Sequence, residues 1–324
     1  MYARAVVART SLSLAEARAL ATCWGLAVDG IAAIDAGTLN SSYVLASAGR
    51  RFFLRICERA EPREAEAEVR LLARLAADGV PVAAPLMRVD CPESWAARWA
   101  GKPAFVLRWI DGASLRAREV QPAHAWRVGV ALAKVHRASV AVTDVPATKF
   151  GIARLAALVA GIDVAGRGAD LCAAIGRLRR QIDEQTAQPL PIRGLIHGDL
   201  FRENVLWSGP NLAAVLDFEA ACAGNFAFDL MIAALAWCYG TCFDVPRLRA
   251  LVDGYRTIRT LDPAEIDELH RAARAAAVRF AVTRLADYEL GPEQPPARDF
   301  RRMLARLDAI ETLGPDRWRA ALGL

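Results

Sequence analysis

The chain has 324 residues, 54% apolar and 24% charged, which excludes a disordered or fibrous protein and supplies core for two lobes. Its formal charge of +5 comes from 41 basic and 36 acidic residues interspersed along the sequence, so the concentrated basic stripe of a nucleic-acid binder is missing. Seven cysteines, at positions 23, 57, 91, 172, 222, 238 and 242, have no CxxC spacing and no nearby histidine pair, which argues against zinc or a disulfide framework and fits a reducing cytoplasm.

The opening MYARAVVARTSLSLAEARAL interrupts its apolar residues with arginines and lacks the unbroken core of a secretory leader. A first helix, capped by Ser13, is expected there. From Ile31 to Ile56 short β-branched and aromatic runs, broken by Gly37 and by Ala48-Gly49, predict a small antiparallel sheet. Pro62 suits a first helical turn, Val69, Leu72, Leu75 and Ala76 follow at helical spacing, and Gly79 closes that helix. A strand at Phe105 to Ile110, a turn at Asp111-Gly112 and a long helix from about Pro122 to Ser139 come next.

Beyond Ser139 the pattern is mainly helical, and GRLRR at Gly176 to Arg180 reads as a solvated helix face. One island, Ile192 to Phe218, carries the strand-like runs VLW and LAAVLDF around SGPN, which predicts a hairpin. The longest apolar run, Leu230 to Tyr239, falls short of the ~20 residues that span a bilayer and is expected to be a buried helix, with no membrane partner. GPEQPP, from Gly291 to Pro296, is expected to be a loop between the last two helices.

The chemistry concentrates in LIHGDLFRENVLW, Leu195 to Trp207. If Trp207 faces Leu212 across the hairpin, Asn204 faces Val215 and Asp217 lies diagonally beyond, at the ~7 to 8 Å of diagonal neighbours. An amide and a carboxylate so placed suit Mg2+, which takes oxygen ligands and keeps positions for water and phosphates. A different turn would slide this register by one residue. Asp199, five residues before Asn204, is then placed to accept the proton of an attacking hydroxyl, since phosphoryl transfer asks mainly for positioning and charge compensation. His197 is grouped with Asp199 as the second catalytic-loop residue, bonding a backbone carbonyl or the Asp217-Phe218 region to hold the loop.

At these residues the sequence resembles the aminoglycoside phosphotransferase-like kinases, relatives of the protein kinases that phosphorylate small-molecule hydroxyls. The resemblance runs from about Ile31 to Tyr239, and within that family HGDLFRENVLW and LDFEAACAGNFAFDL are most similar to homoserine kinases. It implies an α+β, two-lobed protein-kinase-like fold: a nucleotide-covering lobe over 1–107, a connector at 108–112, and a helical lobe over 113–324 holding the acceptor. It implies ATP and Mg2+ as cofactors, a small hydroxylated substrate, Asp199 as base, Asn204 and Asp217 as metal ligands, and Asp229 as a brace on the catalytic loop.

The same resemblance makes Gly37, Thr38, Ser41 and Ser42 the phosphate-approaching turn. Arg55 stands where a lysine is usual, with Glu68, or Glu64 one turn earlier, as its helix partner. The backbone of Arg108, Trp109 and Ile110 becomes the adenine contact. For an amino-acid acceptor, Arg202, Arg279 and Arg284 are the candidate cations for its carboxylate. L-homoserine, a threonine precursor, is the favoured acceptor. An aminoglycoside, choline or other alcohol remains the alternative, and a catalytically silent nucleotide-binding module is the competitor from another class.

Overall fold

A computed structural model describes residues 9–34, 40–139, 146–163, 168–289 and 298–324 of the chain. Helix α1 (Leu14–Ala21) starts at a capping box: Glu16 N–H donates to Ser13 Oγ, and Ser13 N–H donates back to the Glu16 carboxylate at 2.8 Å. Strands β1 (Val28–Ile34), β2 (Ser41–Ser47) and β3 (Arg50–Ile56) follow. The β2–β3 turn is Ala48-Gly49, with φ of 49° and 71°, the left-handed pair that matches strand twist in a tight hairpin.

Helix α2 (Pro62–Ala77) begins at the predicted proline and gives way to Gly79, whose φ is +73°. Strands β4 (Ala97–Trp99) and β5 (Lys102–Arg108) complete a five-stranded antiparallel sheet in the order β1-β2-β3-β5-β4. Alternation divides its faces. Tyr43, Leu45, Leu54, Ile56 and Val106 pack with Leu20 and Trp24 of the α1 region. The opposite face carries Ser42, Arg55 and Phe105, since Ser42 pairs with Arg55 and Arg55 with Phe105. Phe105 joins Val69, Leu72 and Leu75 of α2 in the large core that continues into the helices.

The helical part comprises α3 (Pro122–Ser139), α4 (Ile152–Ala160), α5 (Ala169–Ala187), α6 (Phe226–Trp237), α7 (Val245–Arg256), α8 (Pro263–Arg284) and α9 (Arg301–Ala321), the last kinked at Gly314-Pro315. Between α5 and α6 lie two small ribbons. Strand β6 (Gly194–Ile196) pairs with β9 (Cys222–Gly224), and β7 (Val205–Ser208) pairs with β8 (Asn211–Val215). The apolar run beginning at Leu230 is helix α6, buried on nearly every side. Among the described residues no helix is long and apolar enough to cross a membrane. The predicted loop GPEQPP lies outside the described residues.

Helices α3 and α7 cross at two glycines. A Cβ on Gly254 would lie 2.0 Å from the Trp126 carbonyl oxygen, and one on Gly129 would lie 2.0 Å from that of Leu251. Backbone cannot yield as a side-chain tip does. Gly254→Ala is therefore expected to destabilise the fold by about 3 kcal/mol, read as a lowered urea midpoint; an unchanged midpoint would show that the helices are not so closely apposed.

Candidate active site

The ribbon β6–β9 delivers the chain into His197-Gly198-Asp199. Gly198 has φ of +76°, and a Cβ there would meet the Ala220 carbonyl oxygen at 2.8 Å, so the turn requires glycine. The His197 side chain is fully buried. Its Nδ1 accepts the Asp199 N–H at 3.2 Å, its Nε2 meets the Leu216 carbonyl at 2.9 Å, and its ring packs on Phe218. The proton therefore sits on Nε2, and both nitrogens are occupied in joining the two halves of the site. That geometry corrects its grouping with Asp199 as catalytic: a fully enclosed ring touches no substrate, and His197 is a positioning residue.

Asp229, completely buried on α6, accepts the N–H groups of His197 and Gly198 at 2.8 Å each. A third bond, 2.9 Å, comes from His136 Nε2 on α3, whose Nδ1 meets the Tyr255 hydroxyl of α7 at 2.7 Å. Burial alone would raise the Asp229 pKa, but the His136 hydrogen bond and the backbone donors hold it below the usual carboxylate range. Burial pushes His136 down, which keeps the ring neutral. His136 and Tyr255 carried no signal in the sequence, where each reads as one more position on a core-facing helix.

The hairpin differs from the expected register. Trp207 does face Leu212, but Leu206 faces Ala214 and Val205 faces Val215. Ala213 is an extra residue, a bulge, which moves the pairing by one so that the Asn204 carbonyl accepts the Leu216 N–H at 2.8 Å. Asp217 thus follows the residue opposite Asn204, where an extended residue would turn to the other face. It escapes that alternation by adopting φ 61° and ψ 72°, a left-handed conformation that is uncommon outside glycine and concentrates at functional sites.

Asn204 donates from Nδ2 to the Asp199 carbonyl at 2.8 Å and to its carboxylate at 3.3 Å, which leaves the amide oxygen for another partner. Asp217 Oδ1 is buried with no hydrogen-bond partner among the described residues. An orphaned carboxylate oxygen is costly, and a cation removes the cost. Asp199 is itself lifted above the usual range by burial, against the charge of Arg279, whose Nη1 lies 3.6 Å away. Arg279 is held in place by stacking on Phe280 at 3.8 Å and Phe150 at 4.5 Å.

From the sheet, Arg55 Nη1 reaches Glu68 of α2 at 3.2 Å and Glu219 at 2.9 Å. Glu64 is occupied instead in capping α2, accepting the Glu61 N–H at 3.0 Å. Glu219, which also accepts from Asn40, was missed by the sequence reading, although a second acid two residues after Asp217 is a visible signal. Arg55 resists the burial that works against its charge because Glu68, Glu219 and Asp217 surround it. Lys149 helps Arg55 to offset these acids, but the two cations do not balance the burial. Burial, opposed by Arg55 and reinforced by Glu219 and Asp217, raises Glu68 to about 7.

A raised acid binds its proton more tightly in the folded state, so its contribution is present at low pH and is lost as pH rises from about 4.5 to about 7. Without added metal or nucleotide, the native state is expected to lose ~1 to 3 kcal/mol over that window relative to Glu68→Gln. Parallel pH profiles of melting temperature for the two proteins would rule this out.

Ser41 is a correction. Adjacent strand residues face opposite ways, and Ser41 turns into the sheet's far side, where its Oγ donates to Glu58 and accepts the Thr10 N–H. Ser42 shares the face of Arg55. Gly37 and Thr38 lie outside the described residues. In the connector, the Arg108 N–H is already donated to Ala84 O at 2.8 Å, which leaves the Arg108 carbonyl and the N–H groups of Trp109 and Ile110. The next turn packs closely, since a Cβ on Gly112 would lie 2.9 Å from Trp207 O. Of the three candidate arginines, Arg279 faces Asp199, Arg202, beside the catalytic loop, donates to the Ala236 carbonyl, and Arg284 is buried at the end of α8.

A small antiparallel sheet with helices α1 and α2, set against a mainly helical unit that bears the His-Gly-Asp loop and the Asp217 hairpin, defines the class: a two-lobed, kinase-like α+β protein. Among solved structures the amicoumacin kinase in complex with AMP-PNP and Ca2+ has this fold, with a TM-score of 0.71 at 16% identity over 97% of each chain. The homoserine kinase of Parvibaculum lavamentivorans is 33% identical over 296 residues, 85% of this chain and 86% of the relative. That of Methylocella silvestris is 31% identical over 303 residues, 90% and 91% of the two chains. The model of the phosphotransferase enzyme family matches residues 30–269, and the chain belongs to that family.

Proposed function

We propose that this protein transfers the terminal phosphoryl group of ATP to the side-chain hydroxyl of L-homoserine, giving O-phospho-L-homoserine. The observation that carries the reaction class is the buried, unpartnered Asp217 oxygen within electrostatic reach of Asp199. The acceptor follows from the curated homoserine kinases, which match nearly end to end.

In this reading the Asp199 carboxylate takes the proton of the acceptor hydroxyl as oxygen attacks phosphorus, and Arg279 opposite keeps that carboxylate ionised and oriented. The amide oxygen of Asn204 and the carboxylate of Asp217 hold Mg2+, which when bound neutralises phosphate charge. Arg55, steadied by Glu68 and Glu219, supplies the cation that a lysine gives elsewhere, as a planar fork rather than a point charge.

Residues 1–107 cover the nucleotide, with Ser42 of β2, on the face of Arg55, as the candidate phosphate contact. Residues 108–112 connect the lobes and offer backbone groups to adenine, and 113–324 hold the acceptor, with Arg202, Arg279 and Arg284 as candidate partners of its carboxylate. The reaction belongs in the cytoplasm, where ATP is available.

An ADP-release assay across L-homoserine, L-serine, choline and a 4,6-linked aminoglycoside is expected to give turnover with homoserine well above the rest. Turnover confined to another acceptor would move the assignment within the family. Stabilisation by ATP and Mg2+ with no turnover on any acceptor would make the protein a silent nucleotide-binding module.

A further inference from the structure

Arginines crowd one side of the catalytic loop. Arg202 begins the short 3-10 helix Arg202–Asn204, Arg284 ends α8, Arg302 and Arg306 lie in α9, and Arg298 precedes that helix. Most have an evident task. Arg202 donates to Ala236 O, and Arg306 Nε donates to Leu235 O at 3.0 Å, so both satisfy carbonyls at the C-terminal end of α6. Arg298 pairs with Glu203 at 3.2 Å, and Arg279 faces Asp199.

Arg279 is equally buried and its Nη1 makes no hydrogen bond, but that atom lies 3.6 Å from the Asp199 carboxylate. Arg284 has two such nitrogens and no ion pair among the described residues. It is 6% exposed, yet its Nε and Nη1 are buried with no hydrogen-bond partner among the described residues. A guanidinium carries five donors and does not shed its charge readily, so burying it unpaired is expensive unless an anion completes it. Its neighbours increase the cost. Burial, with the charges of Arg298 and Arg302, depresses Arg284 to about 10. Arg306 is depressed to about 10 by burial and by Arg284, Arg302 and Arg202. The acids within reach of Arg284 are Glu203 and Asp199, and each already has its own arginine.

Position selects the anion. Asp199 acts on Arg284 electrostatically, and the guanidinium lies 5.8 Å from the ring of Phe201, two residues after Asp199. The nucleotide side of the site has its own cation, Arg55, on the sheet. An anion beside Asp199 on the α8 side is therefore part of the acceptor. We propose that Arg284 binds the carboxylate of the acceptor, so that the end of α8 selects hydroxy amino acids over the corresponding amino alcohols. The fork geometry suits a planar carboxylate. This assignment rests on the homoserine reading above.

The test uses the full chain with ATP and Mg2+ and two matched acceptors, L-homoserine and 3-aminopropan-1-ol, which is homoserine without its carboxylate. Wild type is expected to favour homoserine. Arg284→Gln should lower kcat/KM for homoserine, mainly through KM, by about 30-fold relative to the amino alcohol, the size of one charged hydrogen bond. Arg284→Lys, which keeps the charge and loses the fork, should fall between. Loss of the same size with both acceptors, or no loss, overturns the assignment.

A binding measurement guards against a variant that does not fold, and against a wrong acceptor. Calorimetry on wild type with AMP-PNP and Mg2+ should detect L-2-aminobutyrate, which has the carboxylate but no reacting hydroxyl, and should find n-propylamine far weaker; equal binding of the two overturns the carboxylate site. Aminobutyrate binding without homoserine turnover removes the homoserine reading and leaves the site standing. Homoserine turnover with equal losses in Arg284→Gln does the reverse.

Discussion

Asp199→Asn is expected to lower kcat by about 10²- to 10⁴-fold, the range for a removed general base, with little change in ATP affinity. The replacement is isosteric. The main-chain carbonyl of Asp199 still accepts from Asn204 Nδ2, and Arg279 stays stacked between Phe150 and Phe280. What disappears is the carboxylate that receives the proton. Its pKa is raised by burial, so wild-type kcat/KM should fall on the acid side through a group titrating above the ordinary aspartate range, because the protonated acid cannot act as a base. The variant's residual activity should lack that acid limb. A variant retaining a tenth or more of kcat, or keeping the limb, would assign the proton to another group. Single-turnover mixing with saturating ATP separates this loss from any change in product release.

How much of this was readable beforehand depended on how local the physics is. The caps, turns and alternation of the sheet lie within a few residues, which is why Ser13, Pro62, Ala48-Gly49 and the hairpin around Ser208 to Asn211 could be placed from sequence. The spacing of Asp199, Asn204 and Asp217 was legible for the same reason. The bulge at Ala213 was not, because an extra residue in one strand leaves no mark in the apolar pattern and is fixed by what the strand meets in space. Ser41 was misplaced by reading two adjacent serines as one loop, although strand alternation must separate them. The strands β6 and β9 are three residues each, too short to carry a period. His136 and Tyr255 depend on partners far along the chain, and neither sits in a local motif; Arg284 could be named as one of three candidate cations but not singled out, because its burial is set by distant elements.

Asp229→Ala is expected to be the most destabilising single change near the site, by about 4 kcal/mol, the cost of breaking a buried, hydrogen-bonded charge arrangement. The variant leaves the His197 and Gly198 N–H groups and His136 Nε2 without an acceptor, and each orphaned buried group costs ~1 to 3 kcal/mol. Stability and activity should fall together here, because the two lost backbone bonds are those that fix the His197–Asp199 segment. Tyr255→Phe, which removes only the hydroxyl beyond His136, should cost much less of both.

The linkage has a definite sign. The folded pKa of Asp229 lies below its unfolded value, so its contribution is fully present above about pH 4 and is lost as pH falls further toward the folded pKa. The gap in urea-derived stability between wild type and Asp229→Ala should therefore be constant at neutral pH and close only in strong acid. A gap that closed between pH 5 and 7 would mean that His136 titrates in the native state and that the brace depends on a charged imidazolium. A negligible gap at any pH would show that the catalytic loop keeps its shape without Asp229, and α6 would then be packing beneath the site rather than holding it.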